Sequence, residues 1–369
     1  MYFRVIDESE SKRFDNFIRD TPNGHIFQAF SWGEAKKPEW EPLRFVGEDE
    51  KGNIAAAATV LKRRIPLLRK SFFYLPRGPV LQNWKKEELF LEVMDFLGLL
   101  AKKHRAIFIK IDPCITENNI EAVKLLDDAG FVTVSEDYEF GGLQPRFTFR
   151  LNIEQDPQDL LGSFKHKLRY KINYAYKQGV QFHRPGLEGL DSFMSILSDT
   201  SLRGDFVIRD RSYYQRVYQC LERDNAAAIT IGRYQGRVIT ASMTFSFGNK
   251  AWNMYSGHAD EHRNIYAYQA LIWEQIKWAK ERGAKWFDFY GVPGHVGKEH
   301  PLYGIYHFKK SFGGDFVTFV GEKDLVLSRF YYFFWTRLFP LYRDILLRCT
   351  RMFRWCMAKI TGKQKKAVI

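Results

Sequence analysis

The segment HFKKSFGG, residues 307–314, places two lysines between two phenylalanines and ends in a pair of glycines. A fixed ammonium group can stabilise the negative charge that develops on oxygen when an acyl group is transferred. Lys309 and Lys310 are candidates for such a group. The alternative is that both are ordinary lysines of a β-strand whose charged ends lie in water. In either case Gly313 and Gly314 predict a tight turn after the strand.

Length and composition indicate a folded protein of two domains or one large domain. The chain has 369 residues, of which 45% are hydrophobic and 16% aromatic. It has no uncharged apolar run of about 18 residues or more, so a membrane-spanning helix is not expected. The N-terminus lacks the apolar region of a secretory signal. The widely spaced cysteines fit reduced thiols of a cytosolic protein, and they are Cys114, Cys220, Cys349 and Cys356.

Positive charge is concentrated at the C-terminal end. The formal net charge is +13, and residues 326–369 contain ten Lys or Arg and a single acid, Asp344. At about 100° per residue, the arginines from Arg337 to Arg354 fall opposite a face rich in Trp, Phe and Leu. Pro340 predicts a kink in this helix. The pattern predicts a basic amphipathic tail that lies on an anionic membrane surface. The alternative is that the tail packs on the first domain.

One succession of elements occurs twice along the chain. Each copy has two strands joined by a polar turn, then further strand, a long amphipathic helix and an aromatic or β-branched strand. The hairpins are 43–60 and 227–246, the helices 85–103 and 268–283, and the last strands 106–113 and 284–292. An acyltransferase unit of the GNAT type, the acyl-CoA N-acyltransferase-like fold, has this order of elements.

The repeat therefore predicts an α+β protein of two tandem GNAT-like domains followed by the helical tail. The first domain is expected at residues 1–150 and to be completed by a strand near 315–325. The second is expected at 151–314 and the tail at 326–369.

The second unit departs from GNAT enzymes that use coenzyme A. In those enzymes a glycine-rich turn and the N-terminus of the central helix hold the pyrophosphate. The corresponding stretch here is RNIYAYQA, residues 263–270, with Tyr266 and Tyr268 where glycines are expected. These side chains should crowd a pyrophosphate that approaches the backbone. The substitution argues for an acyl donor other than coenzyme A.

Several stretches, in order and from about residue 25 to 324, resemble the Fem family of tRNA-dependent aminoacyltransferases, which build the interpeptide bridges of bacterial peptidoglycan. They are FQAFSWGEAKKPEWEP (27–42), YLPRGPVL (74–81), IKIDP (109–113), KLRYKINYAYKQGV (167–180), MYSGH (254–258), FDFYGV (287–292) and LYGIYHFKKSFGG (302–314). The family fold is two GNAT-like domains, in agreement with the repeat. Some members insert a long helical arm into the second domain, and residues 165–205 are too few for one. The chain therefore resembles the armless subtype.

The resemblance implies a specific reaction. The donor is an aminoacyl-tRNA, and the acceptor is an amine on the stem peptide of a peptidoglycan precursor, either UDP-linked or lipid-linked. The amine attacks the aminoacyl carbonyl, and the ribose oxygen of the tRNA leaves. No metal and no coenzyme are expected. By motif position Lys309 is the ammonium that stabilises the oxyanion, with Lys310 as the alternative. Phe308 is expected near the terminal adenine.

The resemblance also implies residues that bind the acceptor. Lys36 and Arg209 match the cations that hold its phosphates, although Lys37 and Arg211 lie close enough in sequence to exchange places with them. Otherwise they are ordinary surface charges.

Asp112 ends the strand AIFIKIDP, where it either holds the incoming amine or the sugar, or caps the next turn. Tyr213 and Tyr255 match aromatic positions of the substrate channel, or belong to the core.

The stretch 165–177 interleaves basic residues with tyrosines on one predicted helix. It is the best candidate on the body of the protein for a contact with the RNA backbone, because phosphates dominate such affinity. The alternative is a solvated amphipathic helix. Two other functions stay open at this stage. One is a GNAT-type N-acyltransferase with another acyl donor, and the other is a non-catalytic relative that binds RNA or membrane.

Overall fold

The computed structural model describes residues 1–37, 39–65, 68–134, 142–204 and 206–338, and within them the chain forms two mixed β-sheets covered by helices. The strands are β1 (Tyr2–Val5), β2 (Glu41–Glu48), β3 (Ile54–Ile65), β4 (Lys70–Leu75), β5 (Val80–Leu81), β6 (Ala106–Ile111), β7 (Phe131–Thr133), β8 (Phe147–Asn152), β9 (Gln181–His183), β10 (Ala227–Tyr234), β11 (Arg237–Phe247), β12 (Lys250–His258), β13 (Trp286–Asp288), β14 (Asp315–Thr318) and β15 (Lys323–Val326).

The helices alternate with these strands. They are α1 (Ser11–Asp20), α2 (Phe30–Lys36), α3 (Glu87–Lys103), α4 (Ile120–Asp128), α5 (Pro157–Ser163), α6 (His166–Lys177), α7 (Leu190–Gly204), α8 (Arg211–Glu222), α9 (Ala267–Glu281), α10 (Tyr303–Lys310) and α11 (Arg329–Phe333), which continues as a π-helical segment, Phe334–Leu338. Short 3-10 segments lie at Glu8–Glu10, Ile26–Gln28, Gly186–Gly189 and Arg263–Ile265.

The two sheets repeat one plan. The first sheet has the order β1-β2-β3-β4-β6-β15-β7, with β5 beside β3, and the second has the order β14-β8-β13-β12-β11-β10-β9. Each contains one parallel pair, β4 with β6 and β12 with β13, and the other pairs are antiparallel. A long helix connects each parallel pair, α3 in the first sheet and α9 in the second. The predicted duplication and the α+β class are therefore confirmed.

Each connecting helix buries one apolar face against its own sheet. Helix α3 buries Phe90, Val93 and Leu97 in a cluster with strand residues such as Phe73. Their spacing of three and four residues puts these side chains on one side of the helix. Helix α9 does the same in the second domain with Ile272 and Ile276, among other residues. Helices predicted at 85–103 and 268–283 thus exist because the apolar period of the sequence matches the helical turn.

The second sheet begins and ends at residues that differ from the predicted domain boundaries. Strand β8 belongs wholly to the second sheet, where it pairs with β13 and β14, so the predicted boundary after residue 150 falls inside a strand. Strand β14 also belongs to the second sheet. After it the chain returns, and β15 inserts between β6 and β7 of the first sheet. The second sheet therefore spans 147–318, and residues 323–326 complete the first.

The prediction of a strand at HFKKSFGG is wrong, because residues 307–310 are the end of a helix and a turn follows. Helix α10 contains Lys309 and Lys310 in its last turn, and Phe308 and Phe312 lie one turn apart and contact each other at 5.4 Å between ring centroids. The two aromatics follow the helical spacing of four rather than the alternation of a strand.

The glycine pair still makes the expected turn, after a helix rather than a strand. Gly313 and Gly314 have φ of +83° and +88°, which favours glycine. A Cβ on Gly314 would lie 2.4 Å from the carbonyl oxygen of Arg150, so the backbone lies close beside β8, with which β14 pairs from Asp315 onward.

The first part of the predicted tail packs on the first domain. Trp335 contacts Phe72 at 5.4 Å between ring centroids, and Tyr332 contacts Phe108 edge-on at 5.3 Å. The Tyr332 hydroxyl also donates to Asp324 at 2.9 Å. This part of the tail therefore follows the alternative stated above, in which the tail packs on the first domain. Residues 339–369, with most of the predicted basic face, lie outside the described residues. Among the residues that the structure describes, no helix is long and apolar enough to span a membrane.

Candidate active site

Lys309 is held by the backbone of the second domain rather than extended into solvent. Its Nζ donates to the carbonyl oxygens of Tyr290 at 2.5 Å and Gly291 at 2.6 Å. Burial lowers the pKa of this lysine from its ordinary value to about 8, and the negative charge of Asp288 opposes that shift. With that pKa roughly nine in ten of these side chains are ammonium at neutral pH. The geometry therefore supplies a fixed positive charge whose protonation changes just above neutral pH.

Asp288 builds the turn that holds this lysine. Tyr290 and Gly291 both have positive φ, +48° and +68°, and their carbonyl oxygens converge on one Nζ. The Asp288 carboxylate at the end of β13 accepts from the backbone N–H of Tyr290 at 2.8 Å, which holds the turn. It also accepts from the Thr148 hydroxyl at 2.5 Å and from Arg150 Nε at 2.9 Å, both on β8. A single carboxylate thus ties β13, β8 and the turn together.

The side chain of Tyr290 reaches toward the first domain. Its hydroxyl donates to Gln144 Oε1, and its ring meets Phe27 edge-on at 6.3 Å between centroids. Burial raises the pKa of this hydroxyl above its ordinary value, while the positive charge of Arg77 opposes the shift. The Arg77 guanidinium itself is buried and donates to the carbonyl oxygen of Pro145 at 2.6 Å. Tyr290 therefore connects the turn that holds Lys309 with the junction of the two domains.

Asp112 lies at this junction, but both of its oxygens are already bonded. One accepts from the Tyr74 hydroxyl at 2.7 Å and the other from the backbone N–H of Arg77 at 2.5 Å. The side chain is 1% exposed. Burial raises the pKa of Asp112 to about 6, against the opposing charge of Arg77. Asp112 thus holds the turn after β4 rather than the turn that follows it in sequence, and a contact with the incoming amine or the sugar stays a prediction.

Three of the predicted acceptor-binding residues meet where α2 of the first domain contacts α8 of the second. Lys36, at the end of α2, donates to the Tyr213 hydroxyl at 2.7 Å and lies 4.4 Å from the centroid of the Trp32 ring. Arg209 lies 4.9 Å from the centroid of the Tyr213 ring and forms an ion pair with Glu39.

Tyr255, on β12, completes this group. Burial raises the pKa of its hydroxyl well above the ordinary value, and the neighbouring Tyr213 adds to the shift. The alternatives to Lys36 and Arg209 form other ion pairs: Lys37 pairs with Glu34, and Arg211 pairs with Asp191. The structure therefore brings together Lys36, Arg209, Tyr213 and Tyr255.

Phe308 lies on a different side of the second domain from this group. Its ring stacks on Tyr268 with 4.9 Å between centroids and an interplanar angle of 20°. Tyr268 stands in the first turn of α9, and Tyr266 just before it has φ +59°, a conformation that favours glycine. Aromatic side chains therefore occupy the place where a coenzyme A enzyme presents bare backbone. This arrangement agrees with the argument against a coenzyme A donor.

A basic cavity opens beside Phe308. It has a volume of about 770 Å³ and lies between α6, α10 and the start of α9. Its lining includes Lys165, Lys167, Lys171 and Lys310, with His307 and Phe308. Helix α6 is the basic segment predicted to contact RNA, and its bounds agree with that prediction. Lys309, one residue away, points in another direction, toward the carbonyls of Tyr290 and Gly291.

Sequence reasoning gave no role to Gln144, Asp288 and Tyr290 at the junction, and it interpreted Arg77 as structural only. Two signals were present in the sequence. Arg77 stands between two prolines in YLPRGPVL, and FDFYGV carries an acid two residues before an aromatic-glycine pair. Neither pattern by itself says that a side chain crosses between domains. Gln144 precedes a proline in a loop and offers no such signal.

The architecture matches solved structures of two proteins with a similar fold. A crystal structure of FemX superposes with a TM-score of 0.81 at 24% identity, covering 90% of this chain and 99% of that one. A tandem GNAT protein from the clavulanic acid biosynthesis pathway superposes with a TM-score of 0.53 at 11% identity, covering 88% and 98%. The fold is therefore that of a tandem GNAT-like protein.

The family is shown by the sequence as well. The model of the FemAB family matches residues 9–233 and 222–338, and the chain belongs to this family. Similar proteins include the lipid II:glycine glycyltransferase of Staphylococcus epidermidis, 24% identical over 421 residues, with 96% of this chain and 98% of the relative covered. The enzyme of the same name in Staphylococcus aureus is 26% identical over 394 residues, with 86% and 92% covered. Both relatives are glycyltransferases, which confirms the predicted enzyme class, an aminoacyltransferase.

Proposed function

We propose that the protein transfers an amino acid from aminoacyl-tRNA to an amine on the stem peptide of a peptidoglycan precursor, helping to form the interpeptide bridge. The observation that carries this proposal is the Lys309 ammonium, which two backbone carbonyls fix beside the domain junction of a FemAB-family fold. The named relatives act on lipid II, and this supports a precursor of that kind as acceptor.

The reaction is an aminolysis. The acceptor amine attacks the aminoacyl carbonyl, a C–N bond forms and the carbonyl oxygen becomes an oxyanion. The C–O bond to the tRNA ribose then breaks, and the ribose oxygen takes a proton as the amine loses one. Two N–H groups of Lys309 are engaged by Tyr290 and Gly291, which leaves the third to face the oxyanion. A preorganised donor of this kind typically contributes ~10²–10³ in rate.

No cofactor is required by this proposal. The aminoacyl group arrives as an ester, and its tRNA oxygen is a competent leaving group for an amine nucleophile. Aminoacyl-tRNA is therefore the co-substrate, and the protein supplies position and charge. We place the reaction in the cytoplasm, where aminoacyl-tRNA is made, or on the inner face of the plasma membrane.

We assign the acceptor phosphates to Lys36 and Arg209. Arg209 is about half exposed and already paired with Glu39, so a phosphate would replace that carboxylate in the ion pair. Lys36 is fixed by Tyr213 and by the faces of two rings. Both UDP-linked and lipid-linked precursors carry a diphosphate, so these contacts serve either form.

We assign the tRNA to the opposite side of the second domain. The lysines of α6 line the cavity beside Phe308, and phosphates of an RNA backbone are their natural partners. The exposed part of Phe308 offers a surface on which a base can stack. The basic tail beyond residue 338 adds a proposed contact with an anionic membrane, which would favour the lipid-linked acceptor.

The test is to incubate the protein with a mixture of charged tRNAs and each precursor form, with mass spectrometry as readout. Product containing one added amino acid or more on the stem peptide is the expected result. Transfer from an acyl-CoA instead, with none from tRNA, would favour a GNAT-type N-acyltransferase with another donor. Binding of tRNA or vesicles without any transfer would favour a non-catalytic relative.

We further expect Lys309→Met to fold normally and to lower the transfer rate by about 10²–10³. Lys285→Met, at an exposed lysine of the same domain that pairs with Glu154, is the control and should retain most of the rate. Full turnover by Lys309→Met would remove this lysine from the mechanism.

A further inference from the structure

The outer face of the last described helix is apolar and uncovered. Phe330 is 75% exposed and Phe333 is 59% exposed, while Leu327 and Leu338 flank them with more than two fifths of their surface in solvent. We call these four residues the aromatic ridge. The inner face of the same helix carries Tyr332 and Trp335, which pack on the first sheet.

Packing on the first domain therefore uses only one side of this helix. A helix that is apolar on both sides is expected to be buried on both sides. Large aromatic side chains exposed side by side mark a contact surface, whereas scattered single ones are ordinary. Phe330 and Phe333 are three residues apart on one helical turn, so their rings lie on the same side.

A cluster of positive charge adjoins the aromatic ridge. The hairpin of β3 and β4 carries Arg63, Arg64, Arg69 and Lys70, which we call the basic hairpin. Lys70 Nζ lies 4.8 Å from the centroid of the Tyr331 ring, and Trp335 packs on Phe72 of β4, so hairpin and helix form one surface.

Arg63 is the exposed arginine that shares a face of the sheet with α11. It lies opposite Phe72 in the β3–β4 pair and 5.4 Å from the centroid of the Trp40 ring. Arg64 lies on the other face, 4.0 Å from Glu41. The chain then continues from Leu338 into residues 339–369, which contain eight Lys or Arg and one acid. Whatever their conformation, these charges begin at the end of the aromatic ridge.

We propose that the aromatic ridge and the basic hairpin together form a surface that docks on an anionic lipid bilayer. Aromatic side chains favour the interface of a bilayer, and each Lys or Arg close to an anionic surface strengthens the attraction. A second protein chain would explain the apolar ridge but not the surrounding excess of positive charge. RNA would explain the charge but not the exposed phenylalanine pair.

This inference deepens the proposed function, on which its biological purpose rests, because a lipid-linked acceptor is presented at such a surface. The binding itself can be measured without any substrate. Failure to bind vesicles would leave transfer to the soluble UDP-linked precursor untouched, and failure of transfer would leave vesicle binding untouched. The two proposals therefore fail separately.

The experiment is flotation of the full-length chain with vesicles of phosphatidylcholine containing about a third phosphatidylglycerol, and with phosphatidylcholine alone. The variant F330A/F333A removes the centre of the aromatic ridge and should lower partitioning to the anionic vesicles about tenfold. The matched control is L99A/L202A, which truncates two other exposed apolar residues. It should bind like the wild-type protein.

A second pair of variants tests the charge. R63E/R69E reverses two arginines of the basic hairpin and should lower anionic-vesicle binding at least tenfold, with a weaker dependence on salt. R223E/R237E makes the same change in net charge on the second domain and should have a much smaller effect.

Three results would overturn the proposal. They are wild-type partitioning by F330A/F333A, equal losses in R63E/R69E and R223E/R237E, and conversion of a dimer to a monomer by F330A/F333A, measured by light scattering. The last would identify the ridge as an interface between copies of the chain.

Discussion

At the scale of single residues, the site depends on how Asp288 places its neighbours. This carboxylate does not reach the Lys309 ammonium directly, yet it holds the turn whose carbonyls do. Its negative charge also opposes the fall in the Lys309 pKa that burial causes. Asp288 is thus a positioning residue with two separable effects, one on geometry and one on protonation.

The protonation effect predicts a shift in the pH profile. If Lys309 acts as an ammonium, the transfer rate falls as the pH rises through its pKa of about 8. Asp288→Asn keeps a side chain that can accept from the Tyr290 N–H but removes the negative charge. The lysine should then lose its proton more easily, so the falling limb moves to lower pH.

The measurement is the transfer rate between pH 6 and 9.5 for the wild-type protein and Asp288→Asn. Glu154→Gln is the control, since Glu154 is an exposed acid of the same domain that pairs with Lys285. A loss of activity that is the same at every pH would reduce Asp288 to a purely structural role.

Asp112 gives a prediction about stability. Asp112→Ala leaves the buried Tyr74 hydroxyl and the Arg77 N–H without their acceptor, and the free energy of unfolding should fall by about 2 kcal/mol or more. The folded-state pKa of Asp112, about 6, lies above the ordinary value of 3.8. The folded state therefore binds the proton of Asp112 more tightly than the unfolded state does. The stability that this protonation adds to the fold is fully present below pH 3.8 and is lost as the pH rises through 6.

Urea unfolding between pH 4 and 7 tests both statements. Asp112→Asn removes the titrating group, so the wild-type protein should lose stability relative to this variant as the pH rises. A transfer rate that drops in Asp112→Asn at unchanged stability would instead show that the carboxylate contacts the acceptor. A pH-independent difference in stability would contradict the assigned pKa shift.

The family resemblance pointed to Lys36, Arg209, Tyr213 and Tyr255, and the structure brings them together where α2, α8 and β12 converge. Their role in binding the acceptor stays a prediction. The roles of Gln144 and Tyr290 depend on a side chain that crosses from one domain to the other. Such a contact is a property of tertiary placement, for which local sequence carries no period or spacing.

At the scale of elements, α10 shows how a local pattern can mislead. Phenylalanines on either side of two lysines suggested a strand, whereas the spacing of Phe308 and Phe312 is that of one helical turn. The long helices α3 and α9 were predicted because their apolar period repeats several times. An eight-residue helix offers scarcely two turns, so its period is easily missed.

The turn after α10 makes a prediction about Gly314. Its φ is +88°, and an added Cβ would lie 2.4 Å from the Arg150 carbonyl oxygen of β8. Gly314→Ala must move this backbone, which also carries the end of α10 and hence Lys309. We expect the free energy of unfolding to fall by about 1–3 kcal/mol and the transfer rate to fall with it.

The matched control is Gly98→Ala, in the interior of α3, where an added Cβ would meet no atom within 4 Å. It should stabilise the protein by about 0.5–1 kcal/mol, because alanine favours the helix. Thermal unfolding of the two variants measures the contrast. Equal stability of Gly314→Ala and the wild-type protein would mean that the close approach to β8 can relax without cost.

At the scale of the whole molecule, the return of the chain to the first sheet makes the two domains interdependent. Strand β15 lies between β6 and β7, so the first sheet is continuous only when residues 323–326 are present. The repeat in the sequence predicted two domains in succession. It could not fix where each ends, because strand order within a sheet depends on pairing between distant segments rather than on local pattern.

Three truncations follow from this arrangement. Ending the chain after Leu338 removes no described element, so we expect the thermal midpoint to stay within about 2 °C of the full-length value and binding to anionic vesicles to weaken. Ending it after Leu327 uncovers Phe72 and Phe108, and the free energy of unfolding should fall by about 2–4 kcal/mol. Ending it after Gly321 deletes β15, the strand that pairs with both β6 and β7 and lies between them.

The last truncation should abolish cooperative unfolding of the first domain, because a missing interior strand exposes backbone groups as well as core. Circular dichroism and calorimetry of the three chains, each compared with the full length, measure the series. The order in which the three chains lose stability is the decisive feature, because each shorter chain lacks a segment that is more deeply buried than the one before. A chain ending at Gly321 that unfolds as cooperatively as one ending at Leu338 would show that β15 is dispensable. The two domains would then fold independently of the returning strand.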